Sequence, residues 1–357
     1  MSANIFSIVA EANSKAHNEQ YPPNTAAELL NKNVKDWLNY EIIVDGTPVP
    51  TNTRIKFDNC LHAPNYTVFS NTTSAQAWND IADPPNHVVP LESPHNDMHL
   101  AVGGFQVGTD DFSPISGANG DMGENDTAGL DPIFYFHHCE IDRYFWRWQL
   151  EHNSTDYLEI IPEYPGTNSV DSQGPTAGVP GGIWLTIDSE LQPFVKPAQD
   201  GKLSYVTSRD VTNIESQLGY MYEMPPAFLH TLPPRQTAEV SASIKGINKN
   251  EIAGSHQLVV YAKFPGDKNR KIVAVESVLS RWHVSGCKNC QSTQDVQRHA
   301  LLHGIKNEDL ESGNVEVSVE VVTRSETHRR GKLGATAPTP RLEVIGKGGR
   351  SFSGRSS

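Results

Sequence analysis

The sequence predicts a mainly α-helical core followed by a small antiparallel β-sandwich. The core prediction comes from one long apolar segment, DPIFYFHHCEIDRYFWRWQLEH at 131–152, which is typical of a buried helix. Asp131 can cap its first N–H groups, and Pro132 suits the first helical position. The sandwich prediction comes from segments of alternating apolar and polar residues between 240 and 323. The segment at 223–239 contains four prolines and no periodicity, which predicts an extended linker between the two.

Two further helices and a loop-rich region complete the predicted core. NTAAELLNKNVKDWLNYEI at 24–42 has the apolar spacing of an amphipathic helix. In SPHNDMHLAVGG, Ser93 suits the helix cap, Pro94 the first helical position, and Gly103-Gly104 the end. Residues 153–210 contain clusters of Gly and Pro and are expected to form loops and short strands.

Four strands are predicted in the C-terminal part: VSASIKGI, HQLVVYAKF, KIVAVESVLSRWHV and VEVSVEVVT. The resulting organisation is a core at 1–222, a linker at 223–239, a sandwich domain at 240–322 and a tail at 323–357. The tail is rich in Gly, Ser, Pro and Arg and is predicted to be a disordered basic extension.

Composition and charge exclude several classes of protein. Of the 357 residues, 37% are hydrophobic and 20% charged, as in ordinary globular domains, and no apolar run approaches the length of a membrane span. After Thr323 the chain carries a net +6, so the rest carries −19 of the total −13. An acidic body argues against a nucleic-acid-binding core. Four cysteines and a start without a secretory pattern predict a reducing, cytoplasmic location.

The first candidate site is the pair His95 and His99. Residues four apart lie on one helix face, about 5–6 Å apart at Cβ, which allows both imidazoles to bind one metal ion. The spacing alone is weak support, because His299 and His303 have it as well. An ordinary pair of polar residues on a helix remains the alternative.

His137 and His138 lie inside the apolar segment and strengthen the metal hypothesis. Consecutive helical residues point about 100° apart, so at least one of the two imidazoles faces inward, where it needs a partner. Asp142 follows His138 by one turn and could orient a ligand histidine through its second nitrogen. Three neutral imidazoles suit copper or zinc and leave a position open for a small ligand. The alternative is a core histidine bonded to a backbone carbonyl.

PHNDMH followed by GLDPIFYFHHCEIDR resembles the second copper site of the tyrosinases and other type 3 copper proteins. GDMGENDTAGLDPIFYFHH and LSRWHVSGCKNC are similar, more narrowly, to fungal tyrosinases, the polyphenol oxidases. The resemblance covers residues from about 40 to 322. It implies a copper-binding core built as an incomplete four-helix bundle with loop-rich and short β segments.

The resemblance also implies roles for individual residues. The copper ligands would be His95, His99 and His138, with His137 as a neighbour and Phe134 as an aromatic residue against the copper site.

Glu92 and Asn96 match a Glu and an Asn that in this family hold a water thought to deprotonate monophenols. A carboxylate and an amide oxygen can fix a water for general-base use. For Glu92, a solvated first-turn carboxylate favoured by the helix dipole is the alternative.

Further matches lie in the C-terminal half. Tyr220 and Tyr222 resemble the Tyr-x-Tyr that closes the tyrosinase core, and the β-rich part resembles the domain that covers the active site of latent fungal tyrosinases. Cys287 and Cys290 match a CxxC that the family implicates in copper loading, and two thiolates suit Cu(I). The same cysteines with the pair at 299 and 303 give C-x2-C-x8-H-x3-H, a structural zinc pattern, as the alternative.

The family's first copper site, three histidines with a signature such as His-Arg-Pro-Tyr, is not found. The histidines before His95 are His17, His62 and His87. Cys60-Leu61-His62 imitates the Cys-x-His thioether of fungal enzymes and is interpreted as coincidence. Cys60 and Cys139 are predicted to be ordinary buried thiols.

The chain therefore resembles a tyrosinase that begins after its first copper site, as an incomplete gene model, a truncated product or a degenerate paralogue would. The resemblance implies ortho-hydroxylation of monophenols and oxidation of catechols to quinones that feed melanin, with O2 and small phenols as substrates. The intact family binds two coppers; this chain is expected to bind one and to be weakly active or inactive. The alternatives are a non-catalytic copper-binding or regulatory partner of an intact tyrosinase, and an oxygen-carrier-like protein. A homo-oligomer is compatible with the sequence.

Overall fold

The fold is described from a computed structural model. It describes residues 25–38, 42–44, 47–49, 53–104, 106–107, 110–111, 120–170, 178–198, 201–224, 232–248, 251–252, 254–281, 295–324, 339–353 and 355–356. The predictions that concern His17, Cys287 and Cys290 lie outside the described residues.

Helices dominate the N-terminal part. They are α1 Thr25–Leu38, α2 Thr53–Cys60, α3 Tyr66–Ser70, α4 Thr72–Asn79, α5 Glu92–Gly103, α6 Ile133–Glu151 and, between strands of the C-terminal part, α7 Asn307–Glu311. The three helices predicted from the sequence, α1, α5 and α6, are all present. Within the part of the chain that the structure describes, no helix is long and apolar enough to cross a membrane.

The ends of α5 and α6 follow the predicted signals only in part. The Asp131 carboxylate accepts the Ile133 N–H at 3.0 Å, which gives α6 the predicted acidic cap. Helix α5 ends as expected at Gly104, whose φ of 81° favours glycine. The predicted cap of α5 is wrong, because the helix already begins at Glu92 and the Ser93 hydroxyl bonds the Glu276 carboxylate at 3.2 Å.

The C-terminal part is built from two four-stranded sheets. Six of the described strands precede these sheets in the chain: β1 Ile42–Val44, β2 Thr47–Val49, β3 Gln106–Val107, β4 Asp110–Asp111, β5 Glu190–Pro197 and β6 Leu203–Thr207. The two sheets are built from β7 Ser241–Asn248, β8 His256–Lys263, β9 Lys271–Val278, β10 Asp295–Leu301, β11 Glu316–Thr323, β12 Arg341–Ile345, β13 Ser351–Ser353 and β14 Arg355–Ser356. The sheet orders are β10-β7-β12-β13 and β14-β11-β8-β9, while β1-β2, β3-β4 and β5-β6 form separate hairpins. Every pairing is antiparallel except β11 with β14. The predicted antiparallel sheets are confirmed.

The tail differs from the predicted disordered extension. Strand β12 pairs with β7 over five residues, so that Leu342 and Val344 enter the core between the two sheets. These two side chains alternate with exposed Arg341 and Glu343, a period of two that the basic composition of the tail obscured. The tail therefore supplies structural strands to the sandwich.

The helical part and the sandwich share buried surface. Trp37 of α1 and Ala101 of α5 pack with Val259 of β8 and Val275 of β9 in one cluster. Residues 232–239 of the predicted linker also contact the helices: the side chain of Asn59 in α2 forms two hydrogen bonds, of 2.8 and 2.9 Å, with the backbone of Gln236. The α5 helix is thereby held between the other helices and the second sheet.

Helix α6 is less buried than its sequence predicts. Its C-terminal half is in the core, where Trp148 packs with Phe69 and its indole N–H bonds the Ala63 carbonyl at 3.0 Å. In its N-terminal half, Tyr135 and Phe136 are 61% and 73% exposed. Cys139 is exposed too, so the predicted buried thiol is wrong there, whereas Cys60 is buried as expected. Apolar composition identified the helix but not which of its faces is covered.

A buried histidine joins the helices to the first sheet and makes stability depend on pH. The Nδ1 atom of His299 on β10 bonds the Gln76 Oε1 atom of α4, and the side chain is 1% exposed. Burial lowers the pKa of His299 to about 3; neighbouring His87 and Lys245 lower it further, and Asp80 partly opposes them.

We expect acid to destabilise this junction. His299 binds a proton below about pH 6.5 in the unfolded chain but only below about pH 3 in the folded protein. Between these values the unfolded state binds more protons, so the free energy of unfolding falls as the pH falls. His299→Gln keeps a polar side chain and should flatten the fall by up to about 1.4 kcal/mol per pH unit. Urea unfolding at pH 7, 6 and 5 measures this; an unchanged slope in the variant would contradict it.

Candidate metal centre

Four histidines from two helices meet in one cluster. The Nε2 atom of His95 lies 3.1 Å from the Nε2 atom of His99 and 3.5 Å from that of His138. The His137 ring lies 5.0 Å from His95 and 4.8 Å from His99, centroid to centroid. Helix α5 supplies the first pair from one face, and α6 supplies the second. The structure thus brings together the three predicted ligands and one histidine that the sequence interpretation set aside.

Hydrogen bonds at the opposite ring atoms orient two of these imidazoles. The Nδ1–H group of His99 donates to the Met122 carbonyl at 2.7 Å, and Nδ1 of His95 donates to Asn96 Oδ1 at 2.9 Å. Each bond fixes the tautomer that leaves the Nε2 lone pair toward the cluster, which is how ligand histidines are held in metal sites. Met122 was not identifiable from the sequence, because the carbonyl of any residue could serve.

The cluster is electrically neutral at physiological pH. Burial is the main cause that lowers the pKa of His95 to about 4 and that of His99 to about 3. For His137, burial followed by the neighbouring imidazoles lowers the pKa to about 2, and burial also lowers that of His138. Neutral imidazoles are the form that binds metal ions.

His137 and His138 compete for the third ligand position. Ligand atoms of His95, His99 and His137 all lie within 4.8 Å of one another. His137 also bonds the backbone of His95, and its buried Nε2 atom has no hydrogen-bond partner in the described part of the chain. The Nε2 atom of His138 lies 3.5 Å from that of His95, and the ring centroids of His137 and His138 lie 5.0 and 5.1 Å from that of His95. The sequence signal for His137 was the His-His doublet itself.

The Phe134 ring packs beside two of the histidines. Its ring centroid is 4.1 Å from that of His138 and 5.9 Å from that of His99. It covers one side of the cluster with apolar surface, which keeps the imidazoles neutral.

The contacts of Glu92 differ from the expected catalytic arrangement. Its Oε2 atom accepts both the N–H and the hydroxyl of Thr72, each at 2.8 Å. Because Thr72 is the first residue of α4, one carboxylate oxygen is used to bind a helix start. Asn96 is different: its buried Nδ2 has no partner among the described residues and remains able to donate.

Among the described residues, Asp142 bonds two tyrosines and no histidine, unlike the prediction. Its Oδ2 atom accepts the hydroxyls of Tyr220 and Tyr222 at 2.8 and 2.6 Å. The carboxylate therefore ties the Tyr-x-Tyr segment to α6. Asp142 does lie one turn after His138 on α6. Its Oδ2 atom, however, accepts hydrogen bonds from tyrosines that follow 78 and 80 residues later in the chain.

The secondary histidine pairs have other roles. His299 lies on strand β10 and His303 beyond its end, so this pair does not share a helix face as the spacing suggested. His62 bonds the Pro233 carbonyl at 2.7 Å, and the Cys60 thiol bonds the Phe57 carbonyl at 3.1 Å.

The donor set fits a transition-metal ion. Nitrogen atoms of His95, His99 and His138 face one another at 3.1 and 3.5 Å, an arrangement that a shared cation would stabilise, and burial lowers the pKa of His95 and His99, which favours the neutral, metal-binding form. All-imidazole ligation without thiolate or carboxylate suits copper or zinc. The donor set is therefore that of a histidine-ligated copper or zinc site.

Comparison with known proteins narrows this class. Residues 5–151 match the family model described as the common central domain of tyrosinase. The chain is 44% identical over 321 residues to a tyrosinase of Aspergillus oryzae, covering 83% of this chain and 58% of that one. It is 40% identical over 327 residues to a tyrosinase of Hahella sp., covering 87% and 58% respectively. The solved tyrosinase of Burkholderia thailandensis superposes with a TM-score of 0.70 at 40% identity, covering 94% of this chain and 65% of that one.

The chain therefore contains a region that matches the central domain of tyrosinase, and over most of its length it is similar in sequence and fold to tyrosinases. It spans 58% of the length of the two curated relatives. Since the relatives include bacterial as well as fungal proteins, the matches do not single out the fungal enzymes that the motifs suggested.

Proposed function

We propose that this chain binds copper through His95, His99 and His138 and belongs to an oxidoreductase that ortho-hydroxylates monophenols and oxidises catechols to ortho-quinones with O2, the chemistry that feeds melanin. The observation that carries the proposal is the convergence of neutral Nε2 atoms from two helices within a tyrosinase-like sequence. Copper, when bound, would supply the redox chemistry that O2 requires.

The protein residues would contribute binding, orientation and exclusion of water. Met122 and Asn96 hold the ligand imidazoles in one tautomer. Phe134 offers an apolar face beside His138 against which a phenol ring can pack. The Nδ2 group of Asn96, which has no partner among the described residues, can donate to a water molecule, and the Glu92 carboxylate would be the acceptor in the water-holding role that the family resemblance implies.

The metal proposal is tested by loading the purified chain with Cu(II) and measuring bound copper per chain, O2 consumption with catechol and tyrosine, and quinone absorbance. We expect about one copper per chain and weak turnover. Two coppers with magnetic coupling, and turnover comparable to an intact tyrosinase, would contradict the single-site expectation. No bound copper at all would refute the proposal.

The role of Glu92 is tested by Glu92→Gln. The glutamine carbonyl still accepts from Thr72, so α4 should stay anchored and the free energy of unfolding should change by less than about 1 kcal/mol. If Glu92 serves as the base, hydroxylation of tyrosine should fall by roughly 100-fold or more while catechol oxidation persists. The measurement uses a tyrosinase-active form of the protein; equal loss of both activities would assign Glu92 to structure alone.

The ligand choice on α6 is tested by comparing His138→Gln with His137→Gln. We expect His138→Gln to weaken Cu(II) binding by roughly 100-fold, because it removes a ligand, and His137→Gln to weaken it by about tenfold or less. Competition titration with a chelator measures both constants. The reverse order would make His137 the ligand, as the compactness of its group with His95 and His99 would allow.

A second candidate function is supported by the exposed apolar surface of α6. Tyr135 and Phe136 lie one to three residues before the α6 histidines and face solvent. Such exposure is unusual for aromatic residues in a helix whose sequence predicts burial. Such a surface suits a non-catalytic, copper-binding partner of an intact tyrosinase. Co-purification with an intact tyrosinase, lost in Phe136→Ser, would favour this candidate over an enzyme or an oxygen carrier.

A further inference from the structure

A buried arginine from the sandwich reaches the end of the histidine helix α5. Arg324 directly follows strand β11, and its side chain is 2% exposed. Its Nε–H donates to the Gly104 carbonyl at 2.8 Å, and its Nη2 group donates to the carbonyls of Gly103 and, at 3.1 Å, Gly120. Its Nη1 group bonds the Glu124 carboxylate at 2.8 Å.

This set of bonds suits the helix end. The last carbonyls of a helix have no partner within the helix and carry partial negative charge, which a cation stabilises. A guanidinium presents five donors in a rigid planar fork, so it can bind the helix end and a neighbouring loop together. A lysine at this position would offer the charge without the fork.

Two glycines make room for the contact. A Cβ atom on Gly123 would lie 2.3 Å from the guanidinium carbon of Arg324, and one on Gly103 would lie 2.1 Å from the Gly123 nitrogen. Both distances are far shorter than any normal contact. The helix end, the loop and the guanidinium are therefore packed as one unit.

The loop that Arg324 holds is the one that orients a ligand. Arg324 binds the residues on either side of the turn Asp121–Gly123, namely Gly120 and Glu124. Met122, the fully buried middle residue of this turn, accepts the Nδ1–H of His99 at 2.7 Å. The sandwich is thus linked to the histidine cluster by two successive contacts, from Arg324 to the loop and from Met122 of the loop to His99.

We infer that Arg324 is a positioning residue of the metal centre: from the sandwich, it fixes the Met122 carbonyl that orients His99. The inference rests on the proposed metal-binding function. It makes the sandwich part of the support of the metal site, because removal of the sandwich would take away the group that holds the hydrogen-bond acceptor of His99.

The test compares Cu(II) affinity and the Cu(II) electron paramagnetic resonance spectrum in wild type, Arg324→Met and Arg324→Lys. We expect Arg324→Met to bind Cu(II) at least about tenfold more weakly, with altered hyperfine parameters, since groups that orient metal ligands carry about 10–100-fold in affinity. Arg324→Lys keeps the positive charge and should fold more readily than Arg324→Met. Its Cu(II) affinity should lie between those of the wild type and Arg324→Met.

Arg298→Met is the matched control. Arg298 is also a buried arginine of the sandwich, and its Nη1 group bonds the Gln297 carbonyl away from the 120–124 loop. It should lower stability and leave the Cu(II) spectrum unchanged. Wild-type affinity and spectrum in both Arg324 variants, or the same spectral change in Arg298→Met, would overturn the inference. Failure of the wild type to bind Cu(II) would instead refute the proposed function.

Discussion

Replacing His99 with glutamine is expected to weaken Cu(II) binding by roughly two to three orders of magnitude. A site with a few imidazole or thiolate ligands binds its metal with roughly 10–16 kcal/mol, so that one ligand accounts for about 3–4 kcal/mol. His99 is the most constrained ligand candidate. It is 1% exposed, bonded to Met122 at 2.7 Å, and its Nε2 lies 3.1 Å from that of His95.

The measurement is a chelator-competition titration, with thermal unfolding as a second readout. Because a metal that binds the folded state raises its stability, Cu(II) should raise the Tm of the wild type and leave that of His99→Gln almost unchanged. His87→Gln is the matched control, since His87 is also buried and its Nε2 atom bonds a backbone carbonyl, that of Ala82, at 2.9 Å. Equal loss of affinity in both variants would contradict the assignment of His99 as a ligand.

Replacing Lys56 with methionine is expected to cost about 3–5 kcal/mol of unfolding free energy. The Lys56 Nζ atom, in α2, lies 3.0 Å from Asp97 of α5 and 3.2 Å from Glu276 of β9, and it donates to the Val275 carbonyl at 2.8 Å. Burial by itself lowers the pKa of Lys56, but the two carboxylates more than offset this and raise it. Methionine would leave Asp97 and Glu276 buried without their counter-ion.

Lys245→Met is the control, because Lys245 forms an ion pair of the same length as the Lys56–Asp97 pair but on the surface of the protein. The Lys245 Nζ atom also lies 3.0 Å from a carboxylate, that of Asp80, but the two side chains are 39% and 37% exposed. An exposed pair contributes roughly 0.2–1 kcal/mol, so this variant should unfold almost as the wild type does. Urea unfolding of both variants at pH 7 measures the two losses of unfolding free energy. Similar losses would show that the buried Lys56 network stabilises the fold no more than an exposed ion pair does.

The Lys56 network also explains why the two halves of the chain behave as one structure. Asp97 lies between the ligand candidates His95 and His99 in sequence and points to the opposite side of α5, where Thr53 bonds it at 3.0 Å. A helix with histidines on one face and a buried carboxylate on the other needs partners on both sides. Lys56 of α2 lies between Asp97 and Glu276 of the sandwich as their shared counter-ion, and Arg324 of the sandwich binds the helix end.

Much of the candidate site was predictable from local spacing. The pair His95 and His99 follows from the four-residue repeat of a helix, and His137 and His138 follow from polar residues inside an apolar segment. The start of α6 also followed from Asp131 and Pro132 to within two residues. These are properties of the chain over one or two turns, so sequence patterns report them directly.

Other features depended on partners far away in the chain. Asp142 was expected to orient His138, yet Tyr220 and Tyr222 take its oxygen. The tail was expected to be disordered, yet β12 completes a sheet by pairing with β7, almost 100 residues earlier. Composition describes what a segment could do alone and contains no information about which distant edge it meets.

By itself, the sequence determined a helical core with a histidine cluster, an alternating C-terminal sandwich and a resemblance to the tyrosinases. Only the tertiary structure decided which groups orient those histidines: the Met122 carbonyl, the Asn96 amide and, through the loop, Arg324. The physical reason is that ligand spacing on a helix is set by local geometry. Orientation of a ligand is set by hydrogen bonds from whatever backbone or side chain the fold brings within 3 Å.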